Sequence, residues 1–263
     1  MPPVNMQEVR ARATELAHQF ADVVAVQRGC RALIGDYATA ERRFNPRPQG
    51  ESEADFMTPA PVLRTIIQAW RQPALANPTL ALQLAQELWN ADTRQERRLA
   101  AELLGLVGPQ AGEATLALIT SWLPQITSAA TADALAEYGL GPLMLSNPPL
   151  YLEQVQKWIL APHKWTRRFA VASLLPLAHD RRWDDLPHAL EVIRLVMADP
   201  ELEVRQKVVA ILQALIPKSP VEIKRFLCNY AVRANYNTRW IVRAAMSRLP
   251  AADQKEIIHL LRA

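Results

Sequence analysis

Five polar or aromatic side chains occupy one recurring register in this chain: Arg98, Asp133, Arg168, Gln206 and Trp240. A register that served only the core would be apolar in every copy. This one therefore predicts a ladder facing solvent or a groove, because equivalent positions of a repeat line up on one surface. Within the ladder one carboxylate, Asp133, would stand between two cations, Arg98 and Arg168. A row of cations can grip an anion. A carboxylate among them is either a working group or part of an inter-repeat salt bridge, worth ~0–1 kcal/mol when exposed.

The register belongs to a helical repeat. Arg97-Arg98-Leu99-Ala100, Arg167-Arg168-Phe169-Ala170, Arg205-Gln206-Lys207-Val208 and Arg239-Trp240-Ile241-Val242 share one pattern. Each opens on Arg, has a small or β-branched residue three later, and a large apolar residue seven later: Leu104, Leu174, Leu212 and Met246. The Arg-to-Arg steps are 70, 38 and 34, so a further copy should bisect the first step, starting at Ala132. That copy is degenerate. It lacks the Arg, has Leu135 at the small position and Gly139 at the large one. A period near 35 residues predicts stacked helical pairs, an architecture that binds partners along one face.

The elements that must position these residues read as helices throughout. The chain has 263 residues, half of them apolar, enough for one long solenoid or two small domains. Only 8 are Gly, and many of the 20 Pro (Pro59, Pro61, Pro73, Pro78, Pro148, Pro149, Pro162, Pro220) fall where a helix should begin or end. Residues 5–36 read as one or two helices that cap the first repeat's apolar edge, and the polar stretch 38–58 as a loop or linker. The repeat region is expected over 59–263. Thr93 with Glu96 three residues on has the capping-box pattern. Gly139-Leu140-Gly141-Pro142 looks like a helix stop; if the helix instead runs through, the glycines mark a bend or a close backbone approach. A helix is expected from Asn237 to Leu249. No alternating strand pattern is present.

Charge is uneven. Residues 1–131 carry 12 basic and 13 acidic groups, residues 132–263 carry 18 and 13, and all six Lys lie in the second half. From Lys157 to Arg243 there are 15 basic against 8 acidic groups. A basic stretch on a solenoid points to an anionic partner, against the plainer reading of a solvated face. No stretch approaches the ~18 apolar residues of a membrane span, and Met1 to Arg12 lacks an apolar signal core. The expected location is cytoplasmic, nucleoid-associated in a bacterium. Cys30 and Cys228 are expected to be reduced and buried. His163, His179 and His188 do not make a metal spacing, so no metal site is expected. There is no phosphate-cradling Gly loop, nucleophile elbow or dinucleotide fingerprint.

Two segments are worded beyond a generic helical repeat. KWILAPHKWTRRFAV (Lys157 to Val171) and ELWNADTRQERRLAAELL (Glu87 to Leu104) resemble the AlkD-type DNA glycosylases of the DNA alkylation repair group, with FMTP (Phe56 to Pro59) a fainter match. The resemblance spans roughly residues 55–250. It implies an all-α fold, a right-handed α-solenoid of HEAT-like helical repeats. It also implies hydrolysis of the N-glycosidic bond of N3- or N7-alkylated purines in duplex DNA, with no cofactor. The family's catalytic Asp matches Asp133, which would stabilise oxocarbenium character on the sugar and help position water. A family Arg that contacts the DNA backbone matches Arg168. Arg98, Lys164, Arg205, Lys207, Trp240 and Arg243 complete the expected DNA-binding set.

Two positions depart from the family. It places a Trp one helical turn before the catalytic Asp, where this chain has Ala129, and a second Trp where this chain has Ala210 or Ile211. An aromatic face stabilises a cationic sugar by ~0.5–2 kcal/mol. Trp165 is expected in the core or a groove wall, and Trp240 is balanced between core and groove. Three readings stand at this point: a glycosylase, a DNA-binding relative that does not excise, and a HEAT-repeat scaffold for another protein. The expected molecule is a monomer with duplex DNA as partner and no membrane association; a protein partner is left open.

Overall fold

The computed structural model describes residues 4–37, 39–40, 56–91, 93–232 and 234–262. Most of the stretch expected as a linker lies outside these residues. Its flanks pair as a two-residue antiparallel ladder, β1 (Thr39–Ala40) with β2 (Phe56–Met57). All other regular structure among the described residues is helical, and the chain divides into two compact units, Met1–Leu143 and Met144–Ala263.

The first unit contains α1 (Met6–His18), α2 (Val23–Tyr37), α3 (Ala60–Ala76), α4 (Pro78–Asn90), α5 (Arg94–Val107), α6 (Gly112–Trp122) and α7 (Ala129–Ala134). A π-helical segment, Leu135–Leu140, follows α7 and leads into α8 (Gly141–Ser146). Helices pack on the helix two places along: α1 on α3, α2 on α4, α3 on α5 and α5 on α7. That is the signature of a stack of helical pairs.

Local chemistry sets the helix starts. Asn5, Asn77, Thr93, Ser128, Asn147, Asp185, Ser219 and Asn235 each accept a backbone N–H from the first turn they cap. The Thr93 cap at α5 forms as the spacing predicts, with Thr93 Oγ1 accepting from Glu96 N at 3.2 Å. The Glu96 carboxylate returns a bond to the Thr93 hydroxyl, Oε2 accepting at 2.7 Å, in place of the backbone N–H of a full capping box. Glu96 is 1% exposed, and its other oxygen accepts from Gln27 and Arg31 of α2. The cap of one repeat is thereby fastened to an earlier helix.

Two expected helix ends are overturned. Pro73 lies inside α3, because only one backbone bond is lost and Trp70 and Ala74 bury the helix face on either side of it. Gly139 to Pro142 does not stop the helix, which runs on through the π segment. Cys30 is buried, and burial raises its thiol pKa well above the usual range; Cys228 is only half-buried.

The second unit contains α9 (Pro148–Trp158), α10 (Lys164–Ala172), α11 (Leu175–His179), α12 (Leu186–Arg194), α13 (Leu202–Leu215), α14 (Pro220–Ala231), α15 (Tyr236–Ala245) and α16 (Ala251–Arg262). Here α10 packs on α13 and α13 on α15, so the helices that carry the arginine pattern are successive neighbours. Ala170, Leu174, Val208, Leu212, Val242 and Met246, the positions three and seven after each Arg, are all buried on or just beyond these helices.

Candidate functional site

In the first unit the candidate catalytic residue, Asp133, is half-buried on the short helix α7. Ser128 N-caps that helix, accepting from Thr131 N at 3.2 Å, and is itself buried. The π segment begins two residues after Asp133. It ends two residues before Pro142, whose missing N–H leaves the Tyr138 carbonyl without its α-helical donor. Such π turns recur at functional sites because they re-aim the side chains around them.

The widened turn is held by glycines. A Cβ on Gly105 of α5 would lie 1.9 Å from the Tyr138 carbonyl oxygen, and one on Gly108 2.0 Å from Leu143 Cδ1. Gly139 faces the backbone of Ala101 from the other side. In the degenerate second copy, a Cβ at Gly139 would meet Leu135 Cδ1 at 3.1 Å and the Ala101 carbonyl oxygen of α5 at 3.7 Å, which leaves little room for the large apolar side chain of the other copies. Arg98 of α5 donates from Nε to Glu102 Oε1 at 2.8 Å, and its guanidinium lies 4.9 Å from the Tyr138 ring centroid. Burial raises the Tyr138 phenol pKa, with Arg98 opposing.

In the second unit the arginine pattern splits into two roles. At two of its three first positions, Arg167 and Arg205, the residue ties successive repeats together, while Arg239 is exposed. Arg167 makes a paired contact with Asp199, Nε to Oδ2 at 2.7 Å and Nη2 to Oδ1 at 3.1 Å, and also donates to the carbonyls of Ala161 and Pro162. Arg205 donates from Nη1 to Asn237 Oδ1 at 2.8 Å, and its guanidinium lies 5.4 Å from the Trp240 ring centroid. The second position, the ladder, is less uniform than expected. Gln206 is exposed and Trp240 half-buried, but Arg168 is only 8% exposed and donates from Nη1 to the Glu203 carbonyl at 2.6 Å.

Lys164 lies beside Arg168's partner. Its ammonium donates to Glu203 Oε1 at 2.7 Å and sits 4.9 Å from the Trp165 ring, which is half-buried rather than in the core. The bond to Glu203 holds the Lys164 pKa above its usual value and the Glu203 pKa below its own. Lys207 is half-buried and Arg243 exposed. The structure thus joins Lys164, Arg168 and Glu203 in one cluster, and Arg205, Asn237 and Trp240 in another.

An open groove of about 520 Å³ lies along α15, lined by Tyr236, Arg239, Trp240, Arg243 and Ala244. Three of these, Tyr236, Arg239 and Ala244, are absent from the expected set. The expected helix began at Asn237, but Asn235 caps it one residue earlier, donor Thr238 N at 2.8 Å, and so brings Tyr236 onto the helix. Asn235 is a cap type at the right distance, and was the signal that could have found it.

At the two positions where the family has Trp, Ala129 is half-buried in the first turn of α7, Ala210 is exposed and Ile211 is core. Among the described residues no group of His, Cys, Asp and Glu is placed to hold a metal ion. Among them, too, no helix is long and apolar enough to cross a membrane.

A family model described as DNA alkylation repair enzyme matches residues 51–249, about three quarters of the sequence. The chain belongs to the DNA alkylation repair enzyme family. The matched stretch contains Asp133 and every residue of the expected DNA-binding set, and leaves out α1 and α2. No curated protein matches the sequence. Among solved structures, AlkD2 from Streptococcus mutans is similar with a TM-score of 0.58 at 19% identity, covering 69% of this chain and 89% of that one. Smu.31 from Streptococcus mutans UA159 is similar with a TM-score of 0.57 at 18% identity, covering 72% and 98%. At these identities the likeness is one of fold: the alkylation-repair chain is all-α and built of HEAT-like helical pairs.

Proposed function

We propose that this member of the alkylation-repair family binds duplex DNA and hydrolyses the N-glycosidic bond of N3- or N7-alkylated purines. The observation that carries the reading is Asp133, a half-buried carboxylate seated on an N-capped turn next to a π segment, within the stretch that matches the family. An alkylated purine already bears positive charge. When its bond to C1′ breaks, the electron pair leaves with the base, which becomes neutral, and positive charge passes to the sugar. An ionised Asp133 stabilises that charge and orients a water whose oxygen bonds C1′ while its proton passes to solvent.

Lys164, Lys207, Trp240 and Arg243 supply contacts to the DNA. The nearly buried Arg168 and Arg205 present fixed guanidinium edges to the backbone, together with Arg98. Cations pinned to neighbouring repeats lose little freedom on binding, which favours a preformed surface.

The test is release of free base from duplex DNA carrying N7-methylguanine, comparing wild type with Asp133→Asn. Release that falls by orders of magnitude in Asp133→Asn, with duplex affinity retained, supports the assignment. Equal release from both overturns the role of Asp133. A second reading is favoured by Ala129, which removes the aromatic support for the charged sugar. On that reading the protein binds damaged duplex without excising, and wild type shows salt-sensitive binding but no release.

A further inference from the structure

The solvent face of α15 carries more than its share of the duplex contact, Trp240 and Arg243, calls for. Tyr236, Arg239, Trp240 and Arg243 stand at i, i+3, i+4 and i+7, so they share one side of the helix and line one open groove. Tyr236 is 79% exposed. Arg239 and Arg243 are exposed and enter no ion pair with the described residues. No carboxylate lines the groove. The helix beneath is firmly seated: Thr238 Oγ1 donates to the Met197 carbonyl at 2.9 Å, and the nearly buried Arg205 guanidinium backs the Trp240 ring.

Two aromatic rings and two guanidiniums, each pair four residues apart, make a specific chemical surface. Rings offer flat apolar faces, and nucleobases stack on them whatever their sequence. Guanidiniums flank the rings and suit phosphates by charge and by their forked donors. Four residues of helix advance about 6 Å, a step that an unstacked strand can follow nucleotide by nucleotide. A paired duplex hides its base faces, so exposed rings gain nothing from it. We propose that the α15 face is a stacking platform for unpaired bases, holding a short single-stranded segment of DNA with bases on Tyr236 and Trp240 and phosphates on Arg239 and Arg243.

This inference rests on the nucleic-acid reading above and goes beyond it, since it assigns a second form of DNA to a face that shares Trp240 and Arg243 with the duplex contact and adds Tyr236 and Arg239. The test measures binding of a short oligothymidylate, and of a duplex of the same length, to wild type, Tyr236→Ala and Tyr236→Phe at one salt concentration. Tyr236 is so exposed that both variants are expected to fold, which circular dichroism checks.

The expected result is a loss of about five- to a hundred-fold in oligothymidylate affinity for Tyr236→Ala, the ratio that corresponds to one stacked base. Tyr236→Phe keeps the ring and should stay near wild type, while duplex affinity changes little in either variant. Quenching of tryptophan fluorescence by the oligothymidylate, lost in Trp240→Phe, would place the second base. Unchanged oligothymidylate affinity in Tyr236→Ala overturns the platform and leaves duplex binding standing. Failure of wild type to bind either DNA overturns both.

Discussion

The α-carbon of Gly105 packs so closely on the Tyr138 carbonyl that a methyl group there would lie 1.9 Å from the oxygen. Two backbones meet at this point with no side chain between them. One belongs to the third helix pair and the other to the π segment that follows Asp133. The candidate carboxylate is therefore positioned by a backbone contact that no other residue at position 105 would allow.

Gly105→Ala should destabilise the protein by about 3 kcal/mol or more, since the obstacle is backbone and cannot rotate away. Gly35→Ala is the control. Nothing lies within 4 Å of a Cβ there, so the helix α2 should gain about 0.5–1 kcal/mol. Denaturant unfolding of the two variants checks both signs. Similar midpoints would mean that the Gly105 contact can relax.

The Arg167–Asp199 pair holds successive repeats, and its side chains are 13% and 4% exposed. Arg167→Ala strands the Asp199 carboxylate and should cost about 3–5 kcal/mol. The double variant Arg167→Ala, Asp199→Ala should cost clearly less than the sum of the single changes. A double-mutant cycle in urea measures the coupling, and additive costs would show that the two residues act apart.

The Lys164–Glu203 bond gives a pH dependence of known sign. The Glu203 pKa is lowered on folding, so its contribution is present above the ordinary carboxylate value of about 4.3 and is lost as pH falls through the lowered folded value. The Lys164 pKa is raised, so its contribution is present below the ordinary value of about 10.4 and is lost as pH rises through the raised one. Both side chains are about a third exposed, so the pair is worth no more than about 1 kcal/mol. The stability difference between wild type and Glu203→Gln should be flat across neutral pH and close as the solution becomes strongly acidic. A difference that grows on acidification would contradict the assignment.

Salt separates gripping from chemistry. Each of Lys207→Ala and Arg243→Ala should lower the slope of log affinity for undamaged duplex against log salt by about 0.9, the share of one phosphate. Asp133→Asn should leave that slope unchanged or slightly steeper. Titrations at several salt concentrations read it directly. An Arg243→Ala slope equal to wild type would remove Arg243 from the duplex contact.

Much of this was legible in the chain. The Thr93–Glu96 cap, the Asn and Ser caps and the arginine period are short-range patterns, and short-range geometry follows from residue type. The pattern also assigned the core faces of α10, α13 and α15 correctly, since burial at helical spacing needs no partner to be known. Contacts with distant partners left no local mark in the chain. Arg168 and Arg205 look like free cations in sequence, yet a residue 35 or 32 places on takes up the guanidinium.

The order of helices, their period and the family to which the chain belongs were set by the sequence alone, because hydrophobic spacing, capping residues and local wording are properties of neighbouring positions. Which arginine locks a repeat and which stays at the surface, and why Gly105 must lack a side chain where it meets the Tyr138 carbonyl, were decided only by tertiary packing. Those outcomes turn on contacts between residues about 30 or more places apart, and on whether a side chain finds room or a partner there.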